Sequence, residues 1–305
     1  GAGFIGSHTC HLLLKNGLKI IILDSFINSK PNFIQNLSHL NIENFDKNLE
    51  IIKGDLRNES FLRSIFKRVT EKGEFIECVI HFAGLKSISE SIDNPFAYWD
   101  VNVKGSLNIF KIMEEFNCRK IIFSSSALVY DLNKGGIYKE DAPIRPQNPY
   151  GKTKFTIESI LNDLSTKYLN PWRVIILRYF NPIGAHESGL IGEDPAFIAR
   201  NIFPIICNVA VNKNDTFKIY GNDWETEDGT PVRDYIHIMD LAEAHLEAYK
   251  ILNNNNNIKN LVLNIGTGKG TSVLELINVF EEVNKINIPY EFVNRRKGDQ
   301  GVLIA

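Results

Sequence analysis

The chain predicts an α/β fold, a doubly wound parallel sheet followed by a smaller C-terminal α/β unit. Three observations carry this. Strand-length apolar runs alternate with helical periodicity as far as Arg178. A glycine-rich turn opens directly into the first helix. Beyond Tyr179 the texture changes to Pro- and Gly-rich connections between shorter elements.

Gly1-Ala2-Gly3-Phe4-Ile5-Gly6-Ser7-His8 reads as the back half of that turn, running into a helix that ends near Asn16-Gly17. No strand precedes it, so an N-terminal truncation is expected. Residues 19–23 read as a buried strand ending at Asp24, about twenty residues past the glycines, where a ribose-binding acid belongs. Further strands are expected over 49–53, 78–82, 120–124 and 172–178, separated by helical patterns such as 60–70, 98–116 and 150–167. Alternation over this length means a Rossmann-type parallel sheet covered on both faces, with ligands at the carboxyl ends of the strands. The polar residues that punctuate those ends are Asp24, Asp55, Ala83-Gly84 and Ser124 to Ser126.

In the second part a helix is expected over 196–211, strands over 217–220 and 233–237, and a helix over 239–252. The asparagine run 253–257 is a solvated loop, 261–265 a strand returning to the main sheet, and 271–284 a last helix. The chain stops soon after a strand at 290–293, so a C-terminal truncation is expected too.

Composition excludes several function classes. A net charge of -2 without a long basic block gives no pull toward nucleic acid or an anionic membrane. Any anionic ligand must be met by local groups. No apolar run is long enough to span a bilayer and no signal peptide is evident. The four cysteines show no pairing pattern, which reads as reduced thiols in a cytoplasmic protein. His8 and His11 flank Cys10 on one helix without a further ligand, so no metal is expected.

The chemistry centres on Tyr150 and Lys154, four residues apart and hence on one helix face. A free phenol titrates near pH ~10, too high for a base at neutral pH, and a nearby cation is what lowers it. Ser126, closing the serine run, could hydrogen-bond the substrate hydroxyl that Tyr150 deprotonates. The spacing also occurs by chance in many helices. Its weight rests on the glycine turn and Asp24.

The motifs Gly3-Phe4-Ile5-Gly6-Ser7-His8-Thr9, Ile21-Ile22-Leu23-Asp24, Gly54-Asp55-Leu56-Arg57-Asn58 and His81-Phe82-Ala83-Gly84-Leu85-Lys86 stand beside the Ser124 to Lys154 segment. Downstream come Leu177-Arg178-Tyr179-Phe180-Asn181-Pro182, Gly184-Ala185-His186, Gly192-Glu193-Asp194-Pro195 and the run from Gly229 to His237. Together, over essentially the whole chain, they resemble the extended short-chain dehydrogenase/reductase family, and within it the branch of UDP-hexose 4-epimerases. The resemblance implies an enzyme that inverts C4 of UDP-glucose and UDP-galactose through a 4-keto sugar, with transient reduction of tightly bound NAD. It implies an NAD-binding domain over 1–178 and a substrate-binding region over 179–305, of which 236–265 packs back on the main sheet. Homodimerisation is implied as well.

Site residues follow from the same resemblance. Ser126, Tyr150 and Lys154 are the catalytic set. Gly3, Phe4, Ile5 and Gly6 would approach the NAD pyrophosphate; Asp24, with Asn28 and Ser29, would hold the adenosine ribose. Asp55 and Leu56 would frame the adenine. Phe82, Ala83, Gly84, Lys86, Asn102 and Phe180 would line the pyrophosphate and nicotinamide side, with Lys154 on the nicotinamide ribose. Asn181, Asn201, Tyr220, Arg233, Arg296 and Asp299 would bind the sugar nucleotide alongside Ser126 and Tyr150. Leu303 takes the position that gates N-acetylated hexoses, and its size argues for excluding them. Two other readings remain: a sugar-nucleotide 4,6-dehydratase or decarboxylase, and a non-catalytic NAD-binding scaffold. The dehydratases commonly carry an Asp-Glu pair beside the serine, where this chain has Ala127-Leu128.

Overall fold

The computed structural model describes residues 1–305 apart from 41, 196–198, 200, 214, 256 and 297. Its first element is the helix Phe4–Lys15, which starts at Gly3 with no capping side chain and no acid in its first turn. The strand Ile20–Asp24 follows and pairs in parallel with Leu49–Lys53. A second, four-stranded parallel sheet runs in the order Asn260–Ile265, Arg173–Tyr179, Lys120–Ser126 and Val79–His81. The predicted strands are therefore present, and 260–265 does return beside 173–179.

The parallel strands form two groups instead of one continuous ladder, because among the described residues no strand hydrogen-bonds between 20–24 and 79–81. The N-terminus of the helix Phe4–Lys15 joins the groups by packing. Ala2 and Cys10 lie in the cluster around Ile22, while Phe4 and Ile5 pack with Ile122, Ile175 and Leu177.

Period-two alternation explains why both faces of the four-stranded sheet are covered. Ile121, Phe123, Val174 and Ile176 point into a core built with Leu62, Ile109, Ile112, Ile157 and Leu161, from the helices Glu59–Glu71, Gly105–Glu115 and Pro149–Ser165. The alternate residues Ile122, Ile175 and Leu177 face Leu241, Ala248 and Leu252 of the helix Ile238–Asn254. Each such side chain contributes about 1.5–3 kcal/mol of burial. That bilayer of contacts holds the carboxyl ends of the strands in register, with Ser126 opposite Tyr179 and Tyr179 opposite Ile265.

The helix expected over 98–116 is broken. Pro95–Tyr98 is α-helical, Trp99–Lys104 is π-helical, and Gly105–Glu115 resumes the α-helix. The wide turn carries Asn102 inward, where its amide is fully used: Oδ1 accepts from Leu85 N at 2.8 Å, and Nδ2 donates to Leu85 O and Thr153 Oγ1, each at 3.1 Å. A uniform α-helix would not be expected to hold all three contacts in the same way.

The second part is built on Val232–His237, paired with Gly270–Ser272, Val302–Ile304 and Asn181–Ile183. Gly136–Ile137 joins the outer edge of Val302–Ile304, so the first part of the chain lends it a strand. Phe217–Tyr220 and Tyr290–Val293 form a parallel pair beneath the helices Ile202–Ala210 and Val273–Asn284. The first of these helices begins later than the expected 196, and residues 196–198 and 200 lie outside the described residues. The second is opened by a Ser272–Glu275 capping box. No helix among the described residues is long and apolar enough to cross a membrane.

Candidate active site

Asn148 sets the start of the helix that carries Tyr150. Its side chain accepts from Gly151 N at 2.8 Å, and Pro149 follows at the first helical position. Gly151 lets this helix end lie against the turn after Ser126, since a Cβ there would sit 2.4 Å from Leu128 O. Tyr150 is thereby brought to Ser126.

Tyr150 and Lys154 are both buried on the inner face of the helix. Burial pushes the Tyr150 phenol up to about 12, and a hydrogen bond with Ser126 works in the opposite direction. Lys154 Nζ donates to the Ser124 carbonyl at 2.7 Å and lies 5.0 Å from the Phe123 ring centre and 5.9 Å from that of Tyr150. Burial lowers the ammonium to about 8, while the Glu158 carboxylate raises it. Without a cofactor, the protein's own groups do not bring Tyr150 below its ordinary value. Desolvation of the phenolate outweighs a cation bonded elsewhere.

On the cofactor side, the helix Phe4–Lys15 presents backbone N–H groups without a capping side chain. A Cβ at Gly3 would meet nothing within 4 Å, whereas one at Gly6 would lie 2.3 Å from Gly1 O. Open space and close backbone approach thus meet at the helix end. Asp24 Oδ1 accepts from Phe26 N and Ser29 Oγ, both at 2.9 Å, and Oδ2 from Ala2 N at 2.8 Å. Burial opposes ionisation there, but the Ala2 and Phe26 N–H groups favour the charged carboxylate. A carboxylate at this position repels a 2'-phosphate and suits an unsubstituted ribose.

Phe82 to Gly84 leave the strand Val79–His81, and a Cβ on Gly84, whose φ is +159°, would touch Asn102 Oδ1 at 3.0 Å. Asn28 is exposed and Leu56 packs toward Gly105. The Asp55 carboxylate pairs with Arg57, whose Nη2 lies at 2.7 Å and whose Nη1 reaches Asp100 at 2.9 Å. The donor set as a whole fits a dinucleotide.

The residues expected to bind the sugar nucleotide come together in pairs. Arg233 Nη2 meets Asp299 at 3.2 Å, and the Arg296 guanidinium stacks 3.6 Å from the Tyr220 ring centre. Arg295 is held away on Trp224 and Asp223. Asn201 donates to Glu193, and Phe180 packs with Leu303 and Tyr130 beside Asn181. A cavity of about 440 Å³ is lined by Gly192, Glu193, Phe203, Cys207, Asn208 and Lys213, among others.

A family model described as GDP-mannose 4,6 dehydratase matches residues 1–305. The chain is 44% identical to the bifunctional UDP-glucose 4-epimerase and UDP-xylose 4-epimerase 1 of Pisum sativum, over 98% of this chain and 84% of that protein. It is also 44% identical to UDP-glucose 4-epimerase of Bacillus subtilis (strain 168), over 100% of this chain and 86% of that one. The crystal structure of UDP-glucose 4-epimerase from Bifidobacterium longum in complex with NAD+ and UDP superposes with a TM-score of 0.91 at 40% identity, covering 100% of this chain and 88% of that one. The chain belongs to the UDP-glucose 4-epimerase family.

Within this epimerase family member, sequence reasoning missed a buried layer behind Lys154. Glu158 forms an ion pair with Arg178 at 2.7 Å and accepts from Ser125, while Arg178 Nη1 donates to Tyr130 Oη at 3.0 Å. Tyr179 Oη donates to His245 Nε2, because His245 Nδ1 is the nitrogen that donates to Leu241 O at 2.7 Å. The signal available for Glu158 was its place one helical turn past Lys154. For His245, no local pattern pointed to Tyr179.

Proposed function

We propose that this chain interconverts UDP-glucose and UDP-galactose at hexose C4. The observation that carries this is the Tyr150 hydroxyl bonded to Ser126, with Lys154 on the same buried helix face, above the strand ends of a dinucleotide fold. NAD, when bound at the glycine turn, supplies a reversible hydride acceptor for C4. Tyr150 takes the proton of the 4-hydroxyl and returns it after the 4-keto sugar has turned over. Ser126 shares that hydrogen bond and steadies the oxygen as its charge changes. Lys154 supplies the positive charge that favours the phenolate once a cofactor ribose competes with Ser124 O for its ammonium. Because the sugar must turn, the holding is done on the nucleotide: Arg233 and Arg296 meet the diphosphate, Asp299 the uridine ribose, and Asn201 and Tyr220 the rest.

The matching family model bears a 4,6-dehydratase description. Ala127 and Leu128 after Ser126 offer no acid or base for elimination, which favours epimerisation. In this reading 1–178 binds the cofactor and 179–305 the substrate, with 236–265 on the main sheet. A homodimer fits the exposed apolar side chains Ile92, Phe96, Trp99, Leu107 and Phe155, which stand on neighbouring helices. The four free thiols suit a cytoplasmic setting. Incubation with UDP-galactose and no added reductant should yield UDP-glucose. Release of a free 4-keto sugar nucleotide without any UDP-glucose would overturn the proposal.

A further inference from the structure

Residues 184–195 connect the two halves of the site. Gly184, Ala185 and Gly192 to Pro195 form one wall of the 440 Å³ cavity. The same segment lies against the glycine-turn helix, where the His186 ring meets His11 at 4.6 Å and Ile191 packs with Ala2, Cys10 and Ile22. Two lysines from the cofactor side reach it. Lys30 donates to Asp194 at 2.5 Å, and Lys86 Nζ lies 3.4 Å from Glu193 Oε1.

Glu193 differs from Asp194 in two ways. Its side chain is only 10% exposed, and the oxygen that meets Lys86 also accepts from Asn201, the N-cap of the helix Ile202–Ala210. One carboxylate oxygen therefore receives a cofactor-side cation and a substrate-side amide. We propose that Glu193 is a positioning residue that couples nucleotide binding at Asn201 to retention of the cofactor. A uridine nucleotide held by Asn201 fixes that side chain. That ordering holds Glu193 in place for Lys86, and the segment must then break a better-fixed contact before the cofactor leaves. By linkage, whatever the nucleotide adds to the cofactor's equilibrium affinity the cofactor adds to the nucleotide's.

The inference rests on the epimerase reading with NAD at the glycine turn. The test measures first-order release of bound NAD with and without saturating UDP, and the ratio of the two rates is what is read. The parent protein should release NAD at least about 5-fold more slowly with UDP. Glu193→Gln keeps an acceptor for Asn201 but loses the charge that faces Lys86, so its ratio should fall close to one. It should also raise KM for UDP-galactose with kcat largely kept. Lys86→Gln alters a solvent-exposed side chain, tolerable to folding, and should collapse the ratio independently. A ratio unchanged in either variant, or a parent ratio of one, overturns the role of Glu193. A parent protein that holds no NAD and turns over no UDP-galactose instead overturns the functional reading beneath it.

Discussion

Lys154 Nζ is bonded to the Ser124 carbonyl at 2.7 Å and stands 5.9 Å from the centre of the Tyr150 ring. Its influence on the phenol therefore acts through space, from a fixed point on the strand that carries Ser126. Lys154→Met should lower kcat by about 10²- to 10⁴-fold, the range for losing general acid–base support. Lys154→Arg should fail to restore it, because a planar guanidinium does not fit a buried ammonium site. Steady-state kinetics on UDP-galactose check both; full activity in Lys154→Met would remove Lys154 from the mechanism.

The titration of the pair has a definite sign. Lys154, lowered to about 8 by burial, is charged below that pH, so kcat/KM should decline as pH rises through about 8. Tyr150, raised to about 12, should titrate at lower pH once NAD is bound, since added positive charge joins the Ser126 hydrogen bond in offsetting its desolvation. Ultraviolet difference titration against Tyr150→Phe, with and without NAD, reads this directly. An identical midpoint in both states would contradict it.

Acid should weaken the fold before the carboxylates titrate. Burial lowers His81 to about 3 and His245 to about 4, and both are fully enclosed. Their unfolded forms bind protons near pH ~6.5 while the folded forms stay neutral, so this stability is present above ~6.5 and is lost as pH falls below it. Each contributes on the order of 1–3 kcal/mol. Urea midpoints measured from pH 7 to pH 5 should drop, and His245→Gln should flatten the slope.

Leu303 lies opposite Arg233 in the strand register and packs with Phe180, Tyr130 and Tyr138. Leu303→Ala should cost about 2–4 kcal/mol through the cavity it leaves. If this side chain excludes an N-acetyl group, the same variant should raise turnover of UDP-N-acetylgalactosamine relative to UDP-galactose by about 10-fold. Competition assays with both substrates decide it; an unchanged ratio places the gate elsewhere.

Much of the main sheet was legible because local pattern reports it. The apolar runs at 49–53 and 217–220 appear as strands at those bounds, and Asp24 ends its strand as the spacing from the glycines required. The π-helical stretch at Trp99–Lys104 was not legible. Its apolar spacing reads as a helix, and the wide turn is stabilised by Leu85 and Thr153, which come from other elements.

By itself the sequence determined the alternation that builds the sheet, the face shared by Tyr150 and Lys154, and the acid at Asp24. Each depends on neighbours within a few helical turns or one strand. Tertiary structure decided that Lys154 bonds Ser124, that Arg57 reaches Asp100, and that Glu193 stands between Lys86 and Asn201. These partners are chosen by packing between distant segments, where burial and competition among donors set the outcome and no local periodicity records it.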